Sequence, residues 1–111
     1  MEKLFVLWKS DHIIDIEEMI TPYILASKRN KWWDEIDVII WGGSQKIVST
    51  NLKVQKRVKF LISQGIHVYA CKKCAEDLNV KAALEALDIN VIDTGELLTQ
   101  SLKSDAKVIT L

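Results

Sequence analysis

The sequence predicts an α/β fold: a three-layer α/β/α sandwich built on one parallel five-stranded sheet of Rossmann or flavodoxin-like architecture. Three observations predict it. Short, β-branched apolar runs alternate with segments of helical period, as in βαβ units whose sheet is covered on both faces. A chain of 111 residues with 49% hydrophobic content suits one core. No repeat, linker, low-complexity stretch or charge block interrupts the pattern, so residues 1–111 are expected to form a single domain.

In chain order, the strands are expected near Leu4–Trp8, Val38–Trp41, Ile66–Ala70, Asn90–Ile92 and Lys107–Thr110. Between the first two strands, Ile13, Ile16, Ile20 and Ile24 make one apolar stripe, and Pro22 either kinks that helix or opens a new one after Thr21. The next helix is expected to start with Ser49 or Thr50 as its N-cap, to bury Val54, Val58, Leu61 and Ile62, and to stop at Gly65 in a left-handed cap. A third helical segment follows Cys71 and breaks near Asn79. It resumes over Lys81–Leu87 with Ala83, Leu84 and Leu87 toward the sheet. The last helix spans about Glu96–Leu102, with Thr94 as its cap.

Composition bounds the function. Fifteen basic residues balance fifteen acidic ones, which removes the electrostatic reason to expect nucleic acid or an anionic membrane and leaves a surface that tolerates self-association. No apolar run approaches the roughly 18 residues of a bilayer span, and Met1-Glu2-Lys3 leads directly into a strand, so a cytoplasmic location is expected. A chain of this size buries roughly 65% of its unfolded surface and needs no disulfide or metal to fold. In a reducing compartment the only two cysteines, Cys71 and Cys74, are therefore free for catalysis, redox chemistry or metal binding.

In an open parallel sheet, ligands bind outside the carboxyl ends of the strands. Four segments are expected there: Lys9-Ser10-Asp11-His12, Gly42-Gly43-Ser44-Gln45, the cysteine pair, and Asp93-Thr94-Gly95-Glu96. Cys71 ends a strand and a helix opens within two residues, where amide donors together with Lys72 and Lys73 favour a thiolate. Cys71 is the expected nucleophile and Cys74 the resolving thiol, since the two-residue spacing lets the sulfurs meet. His12 is a candidate proton donor or anion contact on the same rim. Ser10, Gly42, Gly43, Ser44 and Lys72 are the expected substrate contacts, the glycines by offering amides to an anion or persulfide.

Other readings stand beside this one. Both cysteines could be small buried hydrophobes. A thioredoxin-like site would need a cis-proline after the pair, but the one proline, Pro22, precedes it. A Cys2His2 zinc site would need both His12 and His67, and alternation places His67 with Tyr69 and Cys71 on one strand face, as a packed or interface residue. No metal is expected. Without a G-x-G-x-x-G or P-loop pattern, no nucleotide or other cofactor is expected either. Trp8 and Trp41 end strands near the rim, where aromatics can line a pocket or a subunit interface, but core packing is the simpler expectation for both; Trp32-Trp33 are expected at the opposite end of the sheet. Lys53, Lys56, Arg57 and Lys59 are read as a solvated helix face.

Over nearly its whole length the chain resembles the DsrE and DsrF-like proteins, a group that includes the sulfur-relay subunits of the Tus system. The resemblance rests on Lys3-Leu4-Phe5-Val6-Leu7, Val38-Ile39-Ile40-Trp41-Gly42-Gly43, Gly65-Ile66-His67-Val68-Tyr69-Ala70-Cys71 and Leu84-Glu85-Ala86-Leu87-Asp88-Ile89-Asn90-Val91, with Val-Tyr-Ala-Cys its most specific part. It implies a small α/β/α subunit of a homotrimer or hexamer. It also implies that the cysteine after the third strand, here Cys71, carries sulfur as a persulfide exchanged with donor and acceptor proteins. The alternative is a non-catalytic oligomeric binding or scaffold subunit of the same fold.

Overall fold

The computed structural model describes residues 1–111, in which five parallel strands form one sheet in the order β4-β3-β2-β1-β5. The strands are β1 (Lys3–Trp8), β2 (Glu35–Ile40), β3 (His67–Cys71), β4 (Asn90–Ile92) and β5 (Lys107–Thr110). All five expected strands are present. β2 starts earlier than the apolar run suggests because its first half carries Glu35 and Asp37, polar residues that find partners on neighbouring strands.

Leu4, Val6 and Trp8 of β1, Ile36, Val38 and Ile40 of β2, and Val68 and Ala70 of β3 face one way, into a single core of 21 buried residues. The helices between β1 and β4 supply the rest of that core, including Ile16, Ile20, Ile24, Val54, Val58 and Leu84. From β4 the chain returns past the whole sheet to the far side of β1, and a right-handed crossover in that direction puts α7 (Thr94–Lys103) on the other face. One helix covers less than three segments do. Around Lys3, Glu35 and His67, near the strand starts, this second face stays partly open.

The first crossover resolves the Pro22 question. α1 (Ile13–Asp15) runs through a π-helical turn (Ile16–Ile20) into α2 (Thr21–Arg29). The Thr21 amide reaches back five residues to the Ile16 carbonyl, and its hydroxyl donates to the same oxygen at 2.8 Å. Pro22, next in line, has no N–H to give. Arg57 instead donates to the Glu17 carbonyl at 3.3 Å and to Thr21 Oγ1 at 3.2 Å, so it braces the turn and is not merely a solvated charge.

The second crossover differs from expectation. Gly43–Thr50 forms a helix, α3, and α4 (Leu52–Ser63) follows with Asn51 as N-cap, its Oδ1 accepting from Val54 N at 3.0 Å. Ser49 and Thr50 do not cap, because both hydroxyls turn back to the Lys46 carbonyl inside α3. The Gly-Gly start and the buried polar Ser44 and Gln45 hide α3 from an apolar-period reading. α4 does end before Gly65, which adopts φ 87°.

α5 (Lys72–Asp77) and α6 (Lys81–Glu85) are separated at Asn79, which adopts φ 58°. Leu84 and Leu87 are buried, whereas Ala83 is exposed. α7 begins at Thr94 with Asp93 in the N-cap position, so Thr94 lies inside the helix and buries its hydroxyl without a partner. Trp8 is fully buried, and Trp32 and Trp33 cluster with Tyr23 just before β2, at the end opposite the cysteines. No helix is long and apolar enough to cross a membrane.

Candidate functional site

At the carboxyl ends of β1, β2 and β3, two buried polar side chains tie the strands together. Ser44 Oγ donates to the Trp8 carbonyl at 2.7 Å and lies 3.1 Å from both the carbonyl and the amide of Trp41, which joins the β1 exit to the turn after β2. One residue on, Gln45 Nε2 donates to the Ile40 carbonyl at 3.1 Å and to the Cys71 carbonyl at 3.0 Å. Both amide hydrogens of Gln45 are thus spent holding the ends of β2 and β3 together, and its Oε1 is buried with no partner. Ser44, expected as a substrate contact, is a structural clasp because its hydroxyl is fully buried among backbone groups. Gln45 as a specific site residue escaped the sequence, where a glutamine beside Gly-Gly-Ser looks like loop.

The turn itself requires glycine. Gly42 adopts φ 71° and ψ −134°, a conformation essentially closed to other residues, and so lets α3 start immediately after β2. Gly43 opens α3, and a side chain there would meet the Asp11 carboxylate at 3.4 Å. Asp11 therefore brings the loop's own negative charge to the helix start where an external anion was expected.

Cys71 is the last residue of β3 and the N-cap of α5, and the residue is only 7% exposed. Cys74 sits one turn into α5, half-buried, and both are free thiols. Burial pushes the Cys74 thiol above its ordinary value, and the hydrogen-bonding and charge of the facing Cys71 sulfur push it the same way. The Gly42 amide and the Trp41 indole N–H pull against this without cancelling it. Cys74 therefore lies against Cys71, with Trp41 and Gly42 completing its surroundings. Trp41 is half-buried and lies beside Cys74, so the rim-lining alternative describes it better than the expected core packing.

The remaining candidates are spread along the edge. Lys72 is exposed at the first position of α5, and Lys73 is committed to Asp77 at 2.8 Å. Ser10 Oγ accepts from the His12 amide at 3.2 Å, and the Lys9 and Ser10 amides both donate to the Leu111 carbonyl, so this loop is closed on itself and on the end of β5. The His12 ring lies 3.8 Å from Asp15 Oδ2, and β2 stands between its strand and β3. The Cys2His2 zinc alternative is not assembled. His67 sits at the other end of β3, about 13 Å along the strand from Cys71, and bonds Asp37. A groove of about 490 Å³ between α2 and α4 is lined by Lys53, Lys56, Arg57, Leu25 and Phe60. No cysteine lines it.

The fold defines a class: a small three-layer α/β/α protein with an all-parallel sheet, the DsrE/DsrF-like fold; in this chain a thiol pair lies where β3 enters a helix. The YchN protein of E. coli, which has this fold, superposes with a TM-score of 0.72 at 14% identity over 100% of both chains. The chain belongs to the family of BT1422 from Bacteroides thetaiotaomicron, a conserved protein of unknown function, to which it is 34% identical over 98% of its own length and 94% of that chain, with a TM-score of 0.95. No protein-family profile matches the sequence, and no curated protein does.

Proposed function

We propose that the chain handles sulfane sulfur, carrying it as a persulfide on Cys71 with Cys74 as resolving thiol. The observation that carries this reading is the pair itself: two free thiols face each other at a strand-to-helix turn, where burial and then the Cys71 sulfur raise the Cys74 thiol above its ordinary value. In the first step the Cys71 thiolate attacks the outer sulfur of a persulfide donor R–S–SH. The new S–S bond forms on Cys71, the donor S–S bond breaks, and R–S⁻ leaves. An acceptor thiolate on a partner protein then attacks that outer sulfur, a new S–S bond forms on the acceptor, the S–S bond to Cys71 breaks, and Cys71 leaves as the thiolate. Alternatively, Cys74 attacks Cys71 Sγ, and the outer sulfur leaves with the Cys74 proton as hydrogen sulfide while the two cysteines are oxidised to a disulfide. An external dithiol closes that second route by reducing the disulfide.

This chemistry is placed in a cytoplasmic homo-oligomer, a trimer or hexamer. Zero formal charge supports self-association. Light scattering of the purified chain tests it, and a monomer at all concentrations would refute it.

Whole-protein mass spectrometry after incubation with a persulfide donor tests the carrier role. The expected result is a gain of one sulfur in the native chain and none in Cys71→Ser. An adduct that survives Cys71→Ser, or none at all, refutes it. The burial of Cys71 favours a second reading, a non-catalytic binding or scaffold subunit with incidental thiols. Under that reading Cys71→Ser leaves assembly unchanged and no sulfur is taken up.

A further inference from the structure

On the open half of the second sheet face, far from the thiols, Glu35, Asp37 and His67 converge. Register makes the cluster: Asp37 and His67 are direct partners across β2 and β3, and Glu35 lies two residues before Asp37 on the same face. Their donor atoms lie within 4.8 Å of one another. His67 Nδ1 is 2.8 Å from Asp37 Oδ1 and 3.9 Å from Glu35 Oε1. In a tetrahedral site with bonds of about 2.0–2.1 Å, neighbouring donors stand about 3.3 Å apart, a value those two distances bracket.

Lys3 already neutralises part of this charge, but from the other side. Its Nζ is 2.9 Å from Asp37 Oδ2 and 3.9 Å from Glu35 Oε2, so it engages the second oxygen of each carboxylate and leaves Oδ1 and Oε1 turned toward His67. A cation could therefore enter between the imidazole and these two oxygens without displacing the ammonium, which would orient the carboxylates as an outer-shell partner. Asp37 is nearly fully buried and strand-borne, which fixes one donor. The Glu35 and His67 side chains are 36% and 53% exposed, which leaves an entry path.

We propose that Glu35, Asp37 and His67 bind a divalent first-row transition cation. The oxygen and imidazole donors suit zinc, cobalt or manganese. On binding, the metal takes the place of the proton shared by Nδ1 and Oδ1, and the neutral imidazole keeps its single proton on Nε2. Three protein donors leave at least one position for water or for a ligand group.

The test is zinc titration by calorimetry, with melting temperature read in parallel, on the full chain carrying Cys71→Ser and Cys74→Ser so that the thiols cannot compete. One equivalent is expected to bind and to raise the melting temperature. Adding His67→Gln, at a half-exposed position, should weaken binding roughly tenfold or more while leaving the metal-free melting temperature near that of the parent. Glu35→Gln should weaken it as well. In the unaltered chain, cobalt(II) should show the visible bands of oxygen and nitrogen ligation that survive thiol alkylation. No saturable binding, or zinc binding unchanged by His67→Gln, would leave the cluster as an ion-pair network and overturn the proposal.

Discussion

At the scale of single residues, Gln45 carries more of the site than its place in an expected loop suggests. Its amide donates to the carbonyls of Ile40 and Cys71, both at buried strand ends. Gln45→Leu keeps the bulk and removes both donors, so it is expected to cost about 2 kcal/mol in urea unfolding, since each buried acceptor left unpaired costs on the order of 1–3 kcal/mol. Gln45→Glu should cost more, because it adds a buried carboxyl and still has no amide to give. Freed from Gln45, the β3 exit should open more often, and alkylation of Cys71 under native conditions should be faster in Gln45→Leu than in the parent. The Cys74 thiol makes a second residue-scale test. Burial raises it, and so does Cys71, so Cys71→Ser should move the midpoint of Cys74 alkylation against pH downward, part of the way to an ordinary thiol. An unmoved midpoint would mean that burial alone sets Cys74 and that the thiols are not coupled.

At the scale of elements, the α3 to α4 junction shows where the sequence could be read and where it could not. Asn51 Oδ1 caps α4, so Asn51→Ala is expected to lower stability by about 1 kcal/mol. Ser49→Ala and Thr50→Ala, whose hydroxyls only bond back to the Lys46 carbonyl, should stay within about 0.5 kcal/mol of the parent by the same urea midpoint. All five strands were legible because their Val, Ile, Leu and Trp residues stand in short runs between turn residues, largely buried in β1, β2 and β3 and half-buried or exposed in the edge strands β4 and β5, and the breaks at Gly65 and Asn79 were legible because both take positive φ. α3 was not, since its inward residues Ser44 and Gln45 are polar and are buried through hydrogen bonds to strands far away in sequence. The cysteine pair was legible from local spacing alone. His12 shared a rim with it in sequence logic, but strand order puts β2 between them. Glu35, Asp37 and His67 were invisible as a group for the same reason, since only β2–β3 register brings residues 30 apart into bonding range.

At the scale of the whole molecule, the ionisable groups that fold perturbs all shift in one direction. Burial and Cys71 raise the Cys74 thiol, burial and then the Asp37 charge raise the Tyr69 hydroxyl, and the hydrogen bond to Asp37 raises the Lys3 ammonium despite the opposing effect of burial. In each case the folded chain holds its proton more tightly than the unfolded chain. Such a group's contribution is fully present below its unfolded pKa and is lost as pH rises through the folded one. The unfolded values of about 8.5 for cysteine, 10 for tyrosine and 10.4 for lysine set the windows. Stability should therefore decline in two stages on the alkaline side, first from about pH 8.5 upward as unfolded Cys74 ionises, then more steeply above about pH 10 as Tyr69 and Lys3 join it. Urea midpoints across this range, taken with a chelator and a non-thiol reductant present, measure the decline. Cys74→Ser should flatten the first stage and spare the second, while Lys3→Met and Tyr69→Phe should flatten the second and spare the first. A single decline that no one of these substitutions alters would mean that alkaline unfolding is governed by net charge rather than by these two clusters, one at each end of β3.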